Sequence, residues 1–254
     1  MDLGLAGATA LVTGASRGLG RSIALGLAAE GARVAVGYHR QAARAVDAAR
    51  ACRAAGASDA VPIRLEAAAE EEVTAAFEEV ALRLGEPTIL VNNAAVCPRG
   101  KTAETRRETF DRTLAVNLTG PFLCSRELLR RLGRARLPGR IVNISSTAAF
   151  TGSSSALQAA YDASKGGLVS LTLSLAREAA PLGVTVNSLA PGYMLTDMMA
   201  EKFRAAPQKY LERIPLGRLA ELEEVAAAAV FLCSRQASYL TGTVLNVSGG
   251  LLMR

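Results

Sequence analysis

The sequence predicts an α/β protein built on a doubly wound parallel sheet of about seven strands, with helices on both faces. Three observations point there. Short runs rich in β-branched residues alternate with longer helix-periodic runs, the first run leads straight into a glycine-rich turn, and no Pro/Gly/Ser-rich linker, internal repeat or low-complexity tract divides the chain. A chain of 254 residues can bury a sizeable core. A single domain over residues 1–254 is expected.

The elements follow in order. The strands are "ATALV" (8–12), "ARVAV" (32–36), "AVPIRL" (60–65), "TILVN" (88–92), "RIVNI" (140–144), "VTVNSL" (184–189) and "TVLNV" (243–247). Their near-continuous apolar character is that of strands covered on both faces. Between the third and fourth, "EVTAAFEEVALRL" sets Val73, Ala76, Phe77, Val80, Ala81 and Leu84 at helical spacing with charges opposite, an amphipathic helix laid on the sheet. "FTGSSSALQ" (150–158) reads as a flexible loop. The segment 193–216 reads as a lid, with Met194, Met198, Met199 and Phe203 as an apolar, adaptable lining.

Composition excludes several classes. Half the residues are hydrophobic and 20% are charged, which fits a globular chain. No apolar run approaches a membrane span, and Asp2 leaves no charged-then-apolar leader, so a cytoplasmic protein is expected. Cys52, Cys97, Cys124 and Cys233 are scattered without a Cys-x-x-Cys pair, and His39 is the one imidazole, so neither a metal site nor a disulfide framework is expected. The net charge of +6 is spread along the chain, and its densest stretch, "RRLGRARLPGR" (130–140), reads as a helix end and its loop. Nucleic acid is not an expected partner; an anionic ligand is.

That ligand is indicated by "TGASRGLG" (13–20). Gly14, Gly18 and Gly20 lie where a strand turns into a helix, and their missing side chains let backbone N–H groups approach a pyrophosphate. This is the phosphate turn of a Rossmann fold. The second strand ends in "VGYHRQ", and no carboxylate occurs between Glu30 and Asp47 to accept from a ribose 2′-hydroxyl. Arg40 and Arg17 instead offer charge-assisted bonds to a 2′-phosphate, which predicts NADP(H). Ser16, Leu19 and Tyr38 are expected beside the same cofactor.

Further on, "YDASK" (161–165) sets Tyr161 and Lys165 one helical turn apart, on one face. A phenol can protonate the alkoxide left by hydride transfer to a ketone. A neighbouring ammonium is expected to pull its pKa down from about 10.

With "TGASRGLG", "NNAA" (92–95), "NLTG" (117–120), "NISS" (143–146), "YDASK" and "PGYMLTDM" (191–198) in this order, the chain resembles the short-chain dehydrogenase/reductases, above all the 3-oxoacyl-[acyl-carrier-protein] reductase-like ketoreductases. The likeness continues through residues 214–250. It implies an active-site set of Asn117, Ser146, Tyr161 and Lys165, with Asn117 holding a water in a proton relay and Ser146 polarising the carbonyl. It also implies cofactor contacts at Asn92, Ala94, Pro191, Gly192 and Thr196, a carbonyl or alcohol substrate that a carrier protein can present, and a homotetramer or homodimer. The expected activity is NADPH-dependent reduction of an apolar or 3-oxoacyl ketone. Two alternatives stand beside it, an alcohol dehydrogenase working oxidatively on a steroid, sugar or secondary metabolite, and an inactive NADP-binding sensor, which would not need Ser146, Tyr161 and Lys165 together. Ser146 and Tyr161 are 15 positions apart, wider than usual in the family, Glu66 stands for the usual acid near the adenine, and Ser248 replaces the acid of the final "V-D-G-G".

Overall fold

Seven strands, β1 (Thr9–Val12), β2 (Arg33–Tyr38), β3 (Ala60–Arg64), β4 (Ile89–Asn92), β5 (Gly139–Ile144), β6 (Val184–Pro191) and β7 (Val244–Val247), form one sheet in the order β3-β2-β1-β4-β5-β6-β7. Every ladder is parallel. The computed structural model describes residues 2–153, 157–196, 199 and 203–253. Strand positions agree with the sequence reading, with three extensions, the smallest being Gly139 at the start of β5, which pairs with Val184. Gly37 and Tyr38 lengthen β2 because they pair with Ile63 and Arg64, and Ala190 and Pro191 lengthen β6 because they pair with Asn246 and Val247.

The helices are α1 (Gly18–Ala29), α2 (Ala42–Ala55), α3 (Glu70–Leu84), α4 (Arg107–Leu114), α5 (Gly120–Ala135), α6 (Ala148–Thr151), α7 (Ala159–Ala179), α8 (Pro207–Leu211) and α9 (Leu222–Cys233). A π-helical turn, Ala115–Thr119, joins α4 to α5. Strand alternation divides the core in two. Ala10, Val12, Val34 and Val36 pack on α1, α2 and α9. Leu11, Ala35, Leu90 and Ile141 pack on α3, α5 and the end of α7. Both faces of each strand are thus apolar, which is why the sequence shows continuous rather than alternating runs.

Local chemistry agrees with these elements. The first turn of α3 carries Glu70, Glu71 and Glu72 and its last turn Arg83, which matches the polarity of the helix dipole. Its buried stripe is Val73, Ala76, Phe77, Val80 and Leu84, with Ala81 half-buried at the margin. Glu221 and Glu224 form a capping box on α9. Where α1 crosses α9, a Cβ on Gly26 would stand 2.8 Å from Val230, so the crossing uses a missing side chain. Ala148–Thr151 form a short helix where the sequence reads as loop; Ser154, Ser155 and Ala156 of that loop lie outside the described residues.

The chain enters the sheet at its centre, winds out to β3, and returns to place β4 on the other side of β1. The crevice at such a switch point receives ligands in this class of sheet. It brings the loops after β1 and β4 side by side.

The Phe77 ring is fully buried between α3 and the sheet. Phe77→Ala should lower unfolding free energy by about 3–5 kcal/mol, measured by chemical denaturation; a loss below about 1 kcal/mol would contradict the packing.

Candidate active site

At the switch point Thr13 is buried and its hydroxyl accepts from the backbone N–H groups of Asn93 and Ala94, each at 3.0 Å. The Asn93 carboxamide returns the contact, donating to the carbonyls of Thr13 at 3.0 Å and Gly14 at 3.1 Å. Two loops some 80 residues apart in sequence are locked together. Glycine is required where they touch. Gly14 has φ +64° and a Cβ there would lie 2.9 Å from the Cα of Ala94, while a Cβ on Gly20 would lie 2.4 Å from the Asn93 amide nitrogen.

Beyond this brace lies a cleft of about 800 Å³. The turn residues Gly14, Ser16, Arg17, Gly18, Leu19 and Gly20 line it, as do Arg40 after β2, Ala94 after β4, and Thr196. The residue preceding α1, Arg17, makes no side-chain cap to the helix, and a Cβ at Gly18 would meet nothing within 4 Å. Open first-turn N–H groups at a helix N-terminus fit a pyrophosphate.

Arg17 and Arg40 share the cleft with residues that the sequence pattern did not single out. His39 lines it, and so does Arg112 from α4. Both engage Glu66, Arg112 at 2.7 Å and His39 at 3.2 Å. Burial alone would raise the Glu66 pKa, but the Arg112 hydrogen bond and charge, with the Ala68 N–H and His39, outweigh it and hold the carboxyl below its usual value. This acid is already balanced by the Arg112 guanidinium. Arg112 left no sequence signal because it reaches Glu66 from 46 positions away; Asn93 could have been found as the second asparagine of "NNAA".

Two expected cofactor contacts lie elsewhere. The Asn92 carboxamide is buried, donating to Asn143 Oδ1 at 2.8 Å and Ser125 Oγ at 3.2 Å, because the strand pleat turns it into the protein. Tyr38 packs against the core beneath α1 and α2, and His39 and Arg40 reach the cleft in its place. Pro191 is buried at the end of β6. Gly192 packs against Ser248, where a Cβ would meet the Ser248 Cα at 2.9 Å.

A second cavity, of about 240 Å³, shares Thr196 with the first and contains Ser146 and Tyr161 in its wall. Ser146 lies just past β5, where its Oγ accepts from Ala148 N–H at 3.1 Å, in the same cavity wall as Tyr161. The wide spacing in sequence therefore does not separate them. Lys165, one turn along α7, is buried; its Nζ donates to the Ile144 carbonyl at 2.6 Å and lies 5.7 Å from the Tyr161 ring centroid. Burial, reinforced by Cys97, pushes the Tyr161 phenol up to about 12 against the pull of the Ser146 hydrogen bond. Burial lowers Lys165 to about 8. The downward shift expected of the phenol is thus reversed here, because desolvation penalises the phenolate and the ammonium is spent on Ile144.

Asn117 lies in the π turn, fully buried. Its Oδ1 accepts from Val96 N–H at 2.8 Å and its Nδ2 donates to Val96 O at 2.9 Å and Ser164 Oγ at 3.0 Å. Both carboxamide N–H groups are spent within the protein, so the side chain clamps the loop after β4 to α7. Of the expected lining, Met194 and Met199 face the second cavity, Phe203 instead packs on Tyr210 with centroids 6.4 Å apart, and Met198 lies outside the described residues.

This sheet order, phosphate turn and Ser–Tyr–Lys arrangement have counterparts among known proteins. The chain belongs to the short-chain dehydrogenase/reductase family and is an oxidoreductase. The family model described as Enoyl-(Acyl carrier protein) reductase matches residues 14–252. Among individual proteins, the chain is similar to the 3-oxoacyl-[acyl-carrier-protein] reductase FabG of Aquifex aeolicus, 42% identical over 99% of this chain and 100% of that one. The FabG of Pseudomonas aeruginosa is 38% identical over 99% of this chain and 100% of its own length. A crystal structure of a short-chain type dehydrogenase/reductase from Mycobacterium marinum superposes with a TM-score of 0.91, at 30% identity, covering 100% of this chain and 98% of that one.

Gly14→Ala should destabilise the fold by about 1–3 kcal/mol through strain at positive φ and weaken dinucleotide binding at least tenfold. Denaturation and cofactor titration read the two effects, and a variant with unchanged cofactor affinity would contradict the brace.

Proposed function

We propose that the protein is an NADPH-dependent ketoreductase, converting a ketone to a secondary alcohol. The observation that carries this reading is that Ser146 and Tyr161 share the wall of a cavity that adjoins the dinucleotide cleft at Thr196. When bound, the nicotinamide supplies the hydride. Ser146 orients the substrate carbonyl by donating a hydrogen bond to its oxygen, where negative charge develops. Tyr161 gives its proton to that oxygen. A positioned acid of this kind contributes roughly 10²–10⁴ in rate. Its raised pKa means the phenol holds its proton at neutral pH, in the form that can give it. Lys165, buried beneath the phenol, offers the positive charge against which phenolate forms as the proton leaves.

NADPH rather than NADH is supported by Arg17 and Arg40 in the cleft, by the lack of a carboxylate after β2, and by the neutralised Glu66. The names of the relatives support a 3-oxoacyl substrate, presented by a carrier protein. Residues 1–254 act as one catalytic domain, and Tyr193, Met194, Met199 and Tyr210 of the segment read as a lid line the cavity. The exposed apolar residues Phe122 and Leu173 on α5 and α7 support assembly as a homotetramer or homodimer. No described helix is long and apolar enough to cross a membrane, and the cytoplasm is the compartment we assign.

The description of the family model also supports reduction of an enoyl C=C bond. Matched 3-oxo and 2-enoyl thioesters, followed by NADPH absorbance, separate the two, and the 3-oxo compound should be the one consumed. Tyr161→Phe should retain NADPH binding and lose at least 10²-fold in kcat; retained turnover would remove Tyr161 from its role. Arg40→Asp should weaken NADPH at least tenfold while changing NADH little, in a binding titration. Equal loss on both cofactors would remove the 2′-phosphate contact.

A further inference from the structure

The stretch that carries Tyr161 and Lys165 also holds an acid to which carbonyl reduction gives no part. Asp162 stands in the first turn of α7, and its Oδ2 accepts from the Ser153 backbone N–H at 2.7 Å. Its Oδ1 is shut off from water and has no hydrogen-bond partner among the described residues. No described cation pairs with the carboxylate. Keeping a carboxylate oxygen from water without a partner is costly. An acid that served only the helix dipole would do so equally well in solvent.

The bond to Ser153 closes a ring around one wall of the second cavity. From Ser146 the chain enters α6, which ends at Gly152 with φ +67°, where Gly152 N–H donates to the Ala148 carbonyl at 3.1 Å. Ser153 follows, and Asp162 ties it to α7 beside Tyr161. Thr147, Ala148, Thr151, Gly152 and Ser153 all line the cavity that Ser146 and Tyr161 share. Ser146 itself is held without this tether. Its neighbours bond to β6, Ser145 N–H donating to the Leu189 carbonyl at 2.7 Å and Thr147 N–H to the Pro191 carbonyl at 3.0 Å.

We infer that Asp162 is a positioning residue for the substrate: its carboxylate pins the turn at Gly152 and Ser153 and keeps that wall of the cavity ordered before the carbonyl compound arrives. This rests on the ketoreductase reading of the same cavity. A wall ordered in advance spares the substrate the cost of ordering it on binding. Asp162 takes no part in hydride or proton transfer, and its loss is felt in KM rather than in kcat.

The test compares wild type with Asp162→Ala and with Asp162→Asn, which keeps an acceptor oxygen, on the N-acetylcysteamine thioester of 3-oxobutanoate at saturating NADPH. Asp162→Ala should raise the KM for the thioester about tenfold, with kcat, the KM for NADPH and Tm little changed. Asp162→Asn should recover the wild-type KM. Burial dominates the raised pKa of the Tyr161 phenol and the Asp162 charge adds least to it, and both variants remove that charge alike. Hydrogen exchange at the Ser153 amide, read by fragment-resolved mass spectrometry, should quicken in Asp162→Ala and keep its wild-type rate in Asp162→Asn. If Asp162→Ala does not fold, Gly152→Ala takes its place, since strain at positive φ opens the same turn from its other side. An unchanged KM in the opened variant, equal losses in Asp162→Ala and Asp162→Asn, or a fall in kcat without a rise in KM would overturn the inference. If wild type does not reduce the thioester, the ketoreductase reading fails and the tether is judged by exchange alone. Faster exchange in Asp162→Ala that Asp162→Asn restores then supports it, and unchanged exchange overturns it.

Discussion

The lock between the loops after β1 and β4 is the contact on which the rest of the site depends. One buried hydroxyl, that of Thr13, satisfies two N–H groups of the β4 loop, and Asn93 satisfies two carbonyls in return. A typical hydrogen bond adds only about 0.5–1.5 kcal/mol net, but a buried group left without its partner costs about 1–3 kcal/mol. The four bonds therefore stand or fall together. Their closeness leaves no room for a Cβ at Gly14 or Gly20, so the absence of side chains that opens the phosphate turn to a ligand is also what lets the two loops meet.

From that lock the order passes onward through polar contacts. Val96, three residues past Asn93, is clasped at both backbone groups by Asn117, which also bonds Ser164; Ser164 in turn donates to the Tyr161 carbonyl at 2.7 Å. The π turn supplies this link. It widens the helix at the point where an inward-facing carboxamide has to reach a neighbouring loop. Lys165 then ties α7 to the end of β5 through Ile144. Tyr161 is thereby fixed relative to the β4 loop on one side and to Ser146 on the other. Burial raises the pKa of the phenol and lowers that of the ammonium, so the phenol keeps its proton until an acceptor arrives.

Arginine serves two purposes in this protein. On helix surfaces and between elements it is paired with glutamate and holds the scaffold, as Arg131 does between α5 and Glu86. In the cofactor cleft Arg112 is paired with Glu66, while Arg17 and Arg40 form no ion pair among the described residues.

The sequence by itself determined the fold, because each strand is a short apolar run whose burial on both faces requires helices to either side, and glycines mark the turn where side chains cannot fit. It also determined that Tyr161 and Lys165 share one face, since a helix repeats on a scale the chain itself carries. Only the tertiary structure decided which polar residues face the cleft. "NNAA" and "VGYHRQ" present adjacent polar side chains, and the strand pleat and the packing of α1 and α2 turn Asn92 and Tyr38 inward while Asn93, His39 and Arg40 face out. Tertiary structure likewise decided the ionisation of Tyr161, since desolvation depends on every element packed around the phenol and none of that is local. The pairing of Glu66 with Arg112 joins segments far apart in the chain, and only the closed sheet brings them within reach.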